Sequence, residues 1–220
     1  GRTIATADDL GNVRLSPALG RTRAPFGAPA DAELGICSFA PDGGHVAGLA
    51  LDGRVLVWDR EGAPVATVPV ETSRIVPLFG WHPGGARFGI ARGASVHVHD
   101  LATEEAARIE PGVGVVEAIA WREDGRLAVI GQDGGVLRTP DGARTELGDF
   151  EGTVSRSPLI ASWSPDGARL LLARDEGDAW LWDERGALLA QPENDRILSA
   201  HWHPSSQRFH LSGAPWEQEV

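Results

Sequence analysis

The 220-residue chain carries 31 Asp and Glu against 20 basic side chains, all of them Arg, for a net charge of −11. An acidic surface lacks the clustered cations that displace counterions from a phosphate backbone, which argues against nucleic acid as a partner. No run of about 18 apolar residues is present to span a membrane, and the single cysteine, Cys37, has no intrachain partner for a disulfide.

Lys, Met and Tyr are absent, and Asn occurs only at Asn12 and Asn194. Either a very GC-rich genome or selection against lysine modification accounts for that usage. Because the sequence starts at Gly1 and holds no methionine, a processed chain or a piece of a longer one is expected. No charged n-region followed by an apolar stretch opens it, so a reducing, cytoplasmic location is expected.

In chain order, Gly1–Pro17 reads as two strands around an Asp8-Asp9-Leu10-Gly11 turn. Ile36–Asp59 (ICSFAPDGGHVAGLALDGRVLVWD) reads as a strand ending on Phe39, a Pro-Asp-Gly turn, a second strand, an Asp52-Gly53 turn and a third strand. Leu78–Asp100, Ala118–Asp141 and Ala161–Asp183 repeat that pattern. A fourth strand follows near Val65–Val70, Ala106–Ile109, Thr145–Leu147 and Leu188–Gln191, and Ile197–His203 with Arg208–Ser212 begin the pattern again. The first-strand anchors Phe39, Trp81, Trp121, Trp163 and Trp202 lie 42, 40, 42 and 39 residues apart. A period of about 40 made of short strands predicts an all-β propeller with one four-stranded blade per repeat, strands a to d. The blade segments fall at about 1–30, 31–72, 73–113, 114–154, 155–194 and 195–220, a single propeller domain or a propeller fragment.

The chain starts at strand b of its first blade and ends after strands a and b of its last. A C-terminal strand a lent to the first blade would close five blades, but Thr3–Ala7 and Phe209–Ser212 would then compete for one b position. The alternative is a portion of a six- to eight-bladed ring, whose open edges another segment or chain would cover.

The repeats resemble the WD40 family over essentially the whole chain. Trp58-Asp59 and Trp182-Asp183 close strand c as the eponymous dipeptide does, with Val98-His99, Thr139-Pro140 and Ser16-Pro17 read as drifted equivalents. The family's Gly-His pair before strand a is missing from every repeat, so irregular blades are expected. A generic bacterial propeller with Ser-Pro-Asp-Gly turns is the neighbouring reading.

In that family the b–c turns and d–a loops share one face. Here the b–c turns bring Asp8, Asp9, Asp52, Asp133, Asp175, Glu176 and Asp178, and other loops add Asp31, Glu33, Glu71, Glu151, Glu193 and Asp195. Facing them are mainly Arg74, Arg92, Arg156 and Arg196. This acidic face either suits a basic protein or peptide, or consists of turn residues that Asp and Gly favour because they accept positive φ. Trp180 and Trp216 break the repeat and complete the candidate partner-binding set with Asp8, Asp9, Asp52, Arg92, Asp133, Asp175, Glu176 and Asp178. The remaining repeated tryptophans read as packing between blades.

On the opposite face Arg2, His45, Arg87, Arg126, Arg169 and Arg208 open strand b; they could grip an acidic partner or simply solvate a turn. Asp175–Asp178 lacks the ligands of a calcium loop. His97/His99 and His201/His203 share strand faces, but lie in separate blades, so no metal and no cofactor is expected. Cys37 is expected as an inert, buried thiol. No nucleophile elbow, phosphate loop or zinc motif is present, and no paired carboxylates stand apart in apolar surroundings. The resemblance implies a non-enzymatic scaffold or sensor in a larger bacterial signalling or defence assembly. A propeller enzyme with a central-channel site and a carbohydrate-binding propeller are the alternatives.

Overall fold

Apolar runs punctuated by turn chemistry fold back on themselves in sequence order. A computed structural model of the chain describes residues 3–7, 12–17, 26–27, 33–69, 78–150, 159–192 and 196–213. The first sheet holds β1 (Thr3–Ala7), β2 (Asn12–Pro17) and β3 (Phe26–Gly27). The second holds β4 (Leu34–Phe39), β5 (His45–Ala50), β6 (Val55–Asp59) and β7 (Pro64–Val68). The third holds β8 (Leu78–Trp81), β9 (Arg87–Arg92), β10 (Ser95–Asp100) and β11 (Ala106–Ile109). The fourth holds β12 (Val116–Trp121), β13 (Leu127–Gly131), β14 (Gly134–Arg138) and β15 (Arg144–Glu146). The fifth holds β16 (Leu159–Trp163), β17 (Arg169–Arg174), β18 (Ala179–Asp183) and β19 (Leu188–Ala190). A two-stranded sheet, β20 (Ser199–Trp202) with β21 (Phe209–Ser212), ends the described chain. The chain forms two compact units, Gly1–Ile90 with Val98–Ala107 and Ala91–His97 with Arg108–Val220.

Each of these a–b turns is tied by a polar side chain that accepts a backbone N–H. Asp42, Asp124 and Asp166 accept the N–H two residues on, at 2.9, 3.1 and 3.0 Å. His82 and His203 do the same through Nδ1, from Gly84 at 3.0 Å and Ser205 at 3.1 Å. Pairing then starts at one register: Phe39 faces Val46, Trp121 faces Leu127, Trp163 faces Leu170 and Trp202 faces Phe209.

Register corrects the frame of the terminal dipeptide. Val46 pairs with Trp58 and Leu170 with Trp182, so Leu127 pairing with Arg138 makes Arg138-Thr139 the fourth-repeat equivalent, not Thr139-Pro140. In the first repeat the pair stays at Ser16-Pro17, because Ile4 faces Ser16 as Val46 faces Trp58 and Thr3 faces Pro17 as His45 faces Asp59. In the third repeat the pair is His99-Asp100, because Asp100 behaves as Asp59 and Asp183 do. Asp59 accepts turn N–H groups from Glu61 and Ala63 at 2.9 and 2.8 Å, and Asp183 from Arg185 and Ala187 at 2.9 Å each. Asp100 accepts from Ala102 at 2.9 Å and Thr103 at 3.2 Å.

Burial explains the composition of the b strands. In β17, Leu170 and Leu172 pack with Ala118, Ile130 and Phe150 of the fourth repeat. Leu171 and Ala173 pack with Ile197 and Ala200 on the other face. A strand covered on both faces carries no polar alternation. In β21 Phe209 and Leu211 join that same cluster while His210 is exposed, so alternation returns where one face is open.

The anchors do more than fill space. Trp81 donates its indole N–H to the Ser38 carbonyl at 3.4 Å, Trp163 to Ala120 at 3.2 Å and Trp202 to Ser162 at 3.2 Å. Each acceptor immediately precedes the anchor of the previous repeat. A buried indole N–H needs an acceptor, and an edge strand has carbonyls without ladder partners. Replacing Trp163 or Trp202 with Phe keeps the ring and removes the donor. Each change should lower unfolding stability by about 1 kcal/mol, read from urea denaturation, with little change in the circular dichroism of the native state.

Candidate functional site

The b–c turn is where each sheet presents charge, and most of that charge is already paired. In the second sheet Asp52 accepts the Arg54 backbone N–H at 2.9 Å and its guanidinium at 2.7 Å. Between the fifth and sixth repeats Arg196 grips Asp175 with two bonds, at 2.8 and 3.3 Å. That guanidinium holds the Asp175 carboxyl below its ordinary range.

Arg174, at the end of β17, gathers the rest. Its side chain is only 12% exposed and lies over the Trp180 ring, 5.0 Å from the centroid. It donates to Asp178 at 2.7 Å and lies 3.8 Å from Glu176. Glu117, second residue of β12, lies in its field and is hydrogen-bonded by Gln132, but burial is the larger effect and pushes the Glu117 carboxyl up. Asp133 crowds Gly114, whose φ is +68°; a β-carbon there would come 2.5 Å from the carboxylate. Gly131 is required by close approach as well: a β-carbon on it would lie 2.3 Å from the Val113 carbonyl oxygen.

The same ends of the sheets expose aliphatic side chains. Leu51, the residue before Asp52, is 55% exposed, and Leu198, next to Ile197, is 53% exposed. Leu78 opens β8 and Val115 precedes β12, and both are exposed. Val115 is fixed at that end by its carbonyl, which accepts the Gln132 N–H at 3.1 Å.

Of the residues singled out from sequence, Asp52, Arg92, Asp133, Asp175, Glu176 and Asp178 sit at b–c ends, with Glu176, Asp178 and Trp180 drawn together by Arg174. Arg92 ends β9 as Arg174 ends β17. Trp180 is not an exposed contact. It is 6% exposed, edge-on to Phe150 at 5.2 Å, and belongs to the core of the fourth and fifth repeats. Asp8, Asp9 and Trp216 lie outside the described residues, as do Asp31, Glu71, Arg74, Glu151, Arg156, Glu193 and Asp195. Sequence reasoning passed over Arg174 and Leu51. The signal for Arg174 was its shared repeat position with Arg92, and for Leu51 a leucine placed after, not within, a complete strand.

The cations that open strand b are engaged in turn contacts. Arg87 pairs with Asp100, Arg126 donates to the Glu184 carbonyl at 3.0 Å and Arg169 to the Ser206 carbonyl at 3.1 Å. The His45 ring stacks on Trp81 at 6.3 Å. Arg2 lies outside the described residues, and Arg208 is exposed. His99 stacks on Phe88 at 5.2 Å, and His201 faces His210 across β20 and β21. Among the described residues no group of three or more His, Cys, Asp or Glu is placed to hold a metal ion. No helix among them is long and apolar enough to cross a membrane. Cys37 is half-buried, and burial pushes its thiol up.

Among solved structures the chain is similar to the C-terminal WD40 domain of Sif2, with a TM-score of 0.70 at 15% identity over 91% of this chain and 60% of that one. The fold is that of the WD40 β-propellers. No family model matches the sequence. Telomerase protein component 1 of Mus musculus is 23% identical over 180 residues, 76% of this chain. Its counterpart of Rattus norvegicus is 22% identical over 198 residues, 80% of this chain. The chain spans about 7% of the length of these relatives.

Glu117 gives the site a measurable pH signature. Its carboxyl is raised on folding, so its charged form opposes folding, and this contribution to stability is lost as pH rises from the unfolded pKa through the folded one. Glu117→Gln should therefore raise the unfolding midpoint at pH 7 and leave it unchanged below about pH 4, measured by urea denaturation at both pH values.

Proposed function

We propose that the chain is a non-enzymatic protein-interaction module whose sheets meet a protein or peptide of basic character at their b–c ends. The observation that carries this reading is the mixture at those ends: Leu51, Leu78, Val115 and Leu198 exposed beside Arg–carboxylate pairs. Exposed aliphatic side chains set among ion pairs suit a protein surface, where apolar contact supplies area and rim charge supplies orientation. Glu33, Asp52, Asp133, Asp175, Glu176 and Asp178 outnumber Arg54, Arg92, Arg174 and Arg196 there, which favours a cationic partner.

The role that fits is a scaffold or sensor part of a larger signalling or defence assembly. Supporting it, the matched stretch of the two rodent relatives is a small fraction of each, as a module within a long chain would be. The same reading includes a segment or chain that completes the β20–β21 sheet. Its b strand is partly exposed, whereas β5, β9, β13 and β17 are almost wholly buried.

A photo-crosslinking residue placed at Leu51 or at Leu198 tests the reading in extract of the source cells, with Arg60 and Arg185 in c–d turns as controls. Protein adducts should form at the first two positions, and the crosslinked partner segments should be rich in Lys and Arg. Adducts of equal yield at the c–d turns, or partner segments rich in acid, would remove this reading.

A further inference from the structure

Away from the b–c ends, the first unit holds a groove of about 440 Å³ between β7 and the end of β10 with the turn that follows it. Its volume is in the range of small recognition sites. Phe88, fully buried, lies at its base with Val68 and Leu101. One wall is β7 from Val65 to Val68, with Pro69 just after it. β7 is the last strand of its sheet and is hydrogen-bonded to β6 alone within it, so its outer row of peptide groups faces away from the ladder.

The opposite wall breaks the repeat in two ways. In the other c–d turns Asp59, Thr139 and Asp183 donate their N–H to the carbonyl four residues on, at Ala63, Ala143 and Ala187. Asp100 instead reaches Glu105, five residues on, so this turn is one residue longer. The left-handed position of the shorter turns is glycine, at Gly62, Gly142 and Gly186, with φ of 94°, 90° and 85°. Here it is Glu104, with φ of 58°, a conformation a side chain with a β-carbon disfavours. Glu104 and Glu105 are both exposed and both line the groove. Arg87 is already paired with Asp100.

We propose that this groove is a second docking site, for an extended peptide segment of a partner protein in which aliphatic residues alternate with Lys or Arg. The peptide adds as a strand along β7, which supplies main-chain bonds. Its aliphatic side chains enter over Phe88, and its cations meet Glu104 and Glu105. Charge complementarity selects this occupant: an apolar slot with a carboxylate mouth repels an acidic strand of equal hydrophobicity. The strained glutamate has a simple account on this basis, since glycine would relax the turn but remove one of the two charges that read the ligand.

The test uses the whole 220-residue chain and two labelled synthetic hexapeptides, one alternating arginine with valine and one alternating glutamate with valine, followed by fluorescence anisotropy. The cationic peptide should bind about tenfold more tightly or better, a preference that shrinks with added salt. Glu104→Lys combined with Glu105→Lys should reverse the preference, and Glu61→Lys, in the matching turn of the second sheet, should leave it intact. Glu104→Gly should raise the melting temperature while weakening the cationic peptide, a divergence that a purely structural role would not give. Amide shifts on titration should centre on Ala66–Val68. Equal binding of the two peptides, a preference that survives the double reversal, or shifts centred on Leu51 and Leu198 would each overturn the proposal.

Discussion

An indole N–H aimed at one carbonyl of the preceding repeat is the contact on which the spacing of this chain depends. Apolar burial alone specifies an offset only weakly, because the hydrophobic effect is non-directional. A buried donor is not indifferent, since leaving it unpaired costs more than the bond contributes. Trp202 to Ser162 and Trp163 to Ala120 therefore fix the offsets of successive sheets in the second unit, and Trp81 to Ser38 does so in the first. The anchor without such a donor, Phe39, belongs to the sheet that follows β1–β2–β3. That sheet has no first strand among the described residues to offer a carbonyl.

Sheet spacing set in this way leaves the turns of this chain to be ordered locally. Much of the order within those turns comes from carboxylates that accept N–H groups of their own turn. Asp59, Asp100 and Asp183 cap c–d turns, and where the aspartate is replaced by Thr139, Asp141 two residues on accepts from the Thr139 hydroxyl and the Ala143 N–H instead. These carboxylates keep their charge but use their lone pairs within the turn, so the net charge of −11 acts on a cation at a distance without every carboxylate being free for direct contact. Many of these carboxylates face backbone N–H groups or arginines of the same turn.

Strand order and the anchor positions were legible in the sequence because both depend on local alternation and on a repeat that packing enforces. The fourth strands were found within a residue or two, as at Ala106–Ile109. Finer register was not legible, for a physical reason. The b–c turn has three residues at Leu51–Gly53 and Asp175–Gly177, but two at Gln132-Asp133. An alignment that assumes equal turns slips by one residue at Thr139, and only the hairpin hydrogen bonds reveal it. The two-residue strand Phe26–Gly27 was also missed, since so short a run has no periodicity to detect.

Departure from the repeat marked candidate residues well only when joined to exposure. Trp180 departs in sequence, yet it fills the core beside Phe150 and serves as a plate beneath Arg174, so its novelty is absorbed by packing. Arg174 then holds Asp178, which turns a prominent acidic turn into a closed ion pair. Glu104 departs in turn length and in backbone conformation and remains exposed on a groove. In the three shorter c–d turns the residue with positive φ is glycine, which takes up that conformation without strain. Glu104 thus joins a disfavoured backbone conformation and exposure to the lining of a groove, and it does so at the c–d turn after β10, not on the acidic b–c turns that dominate the sequence.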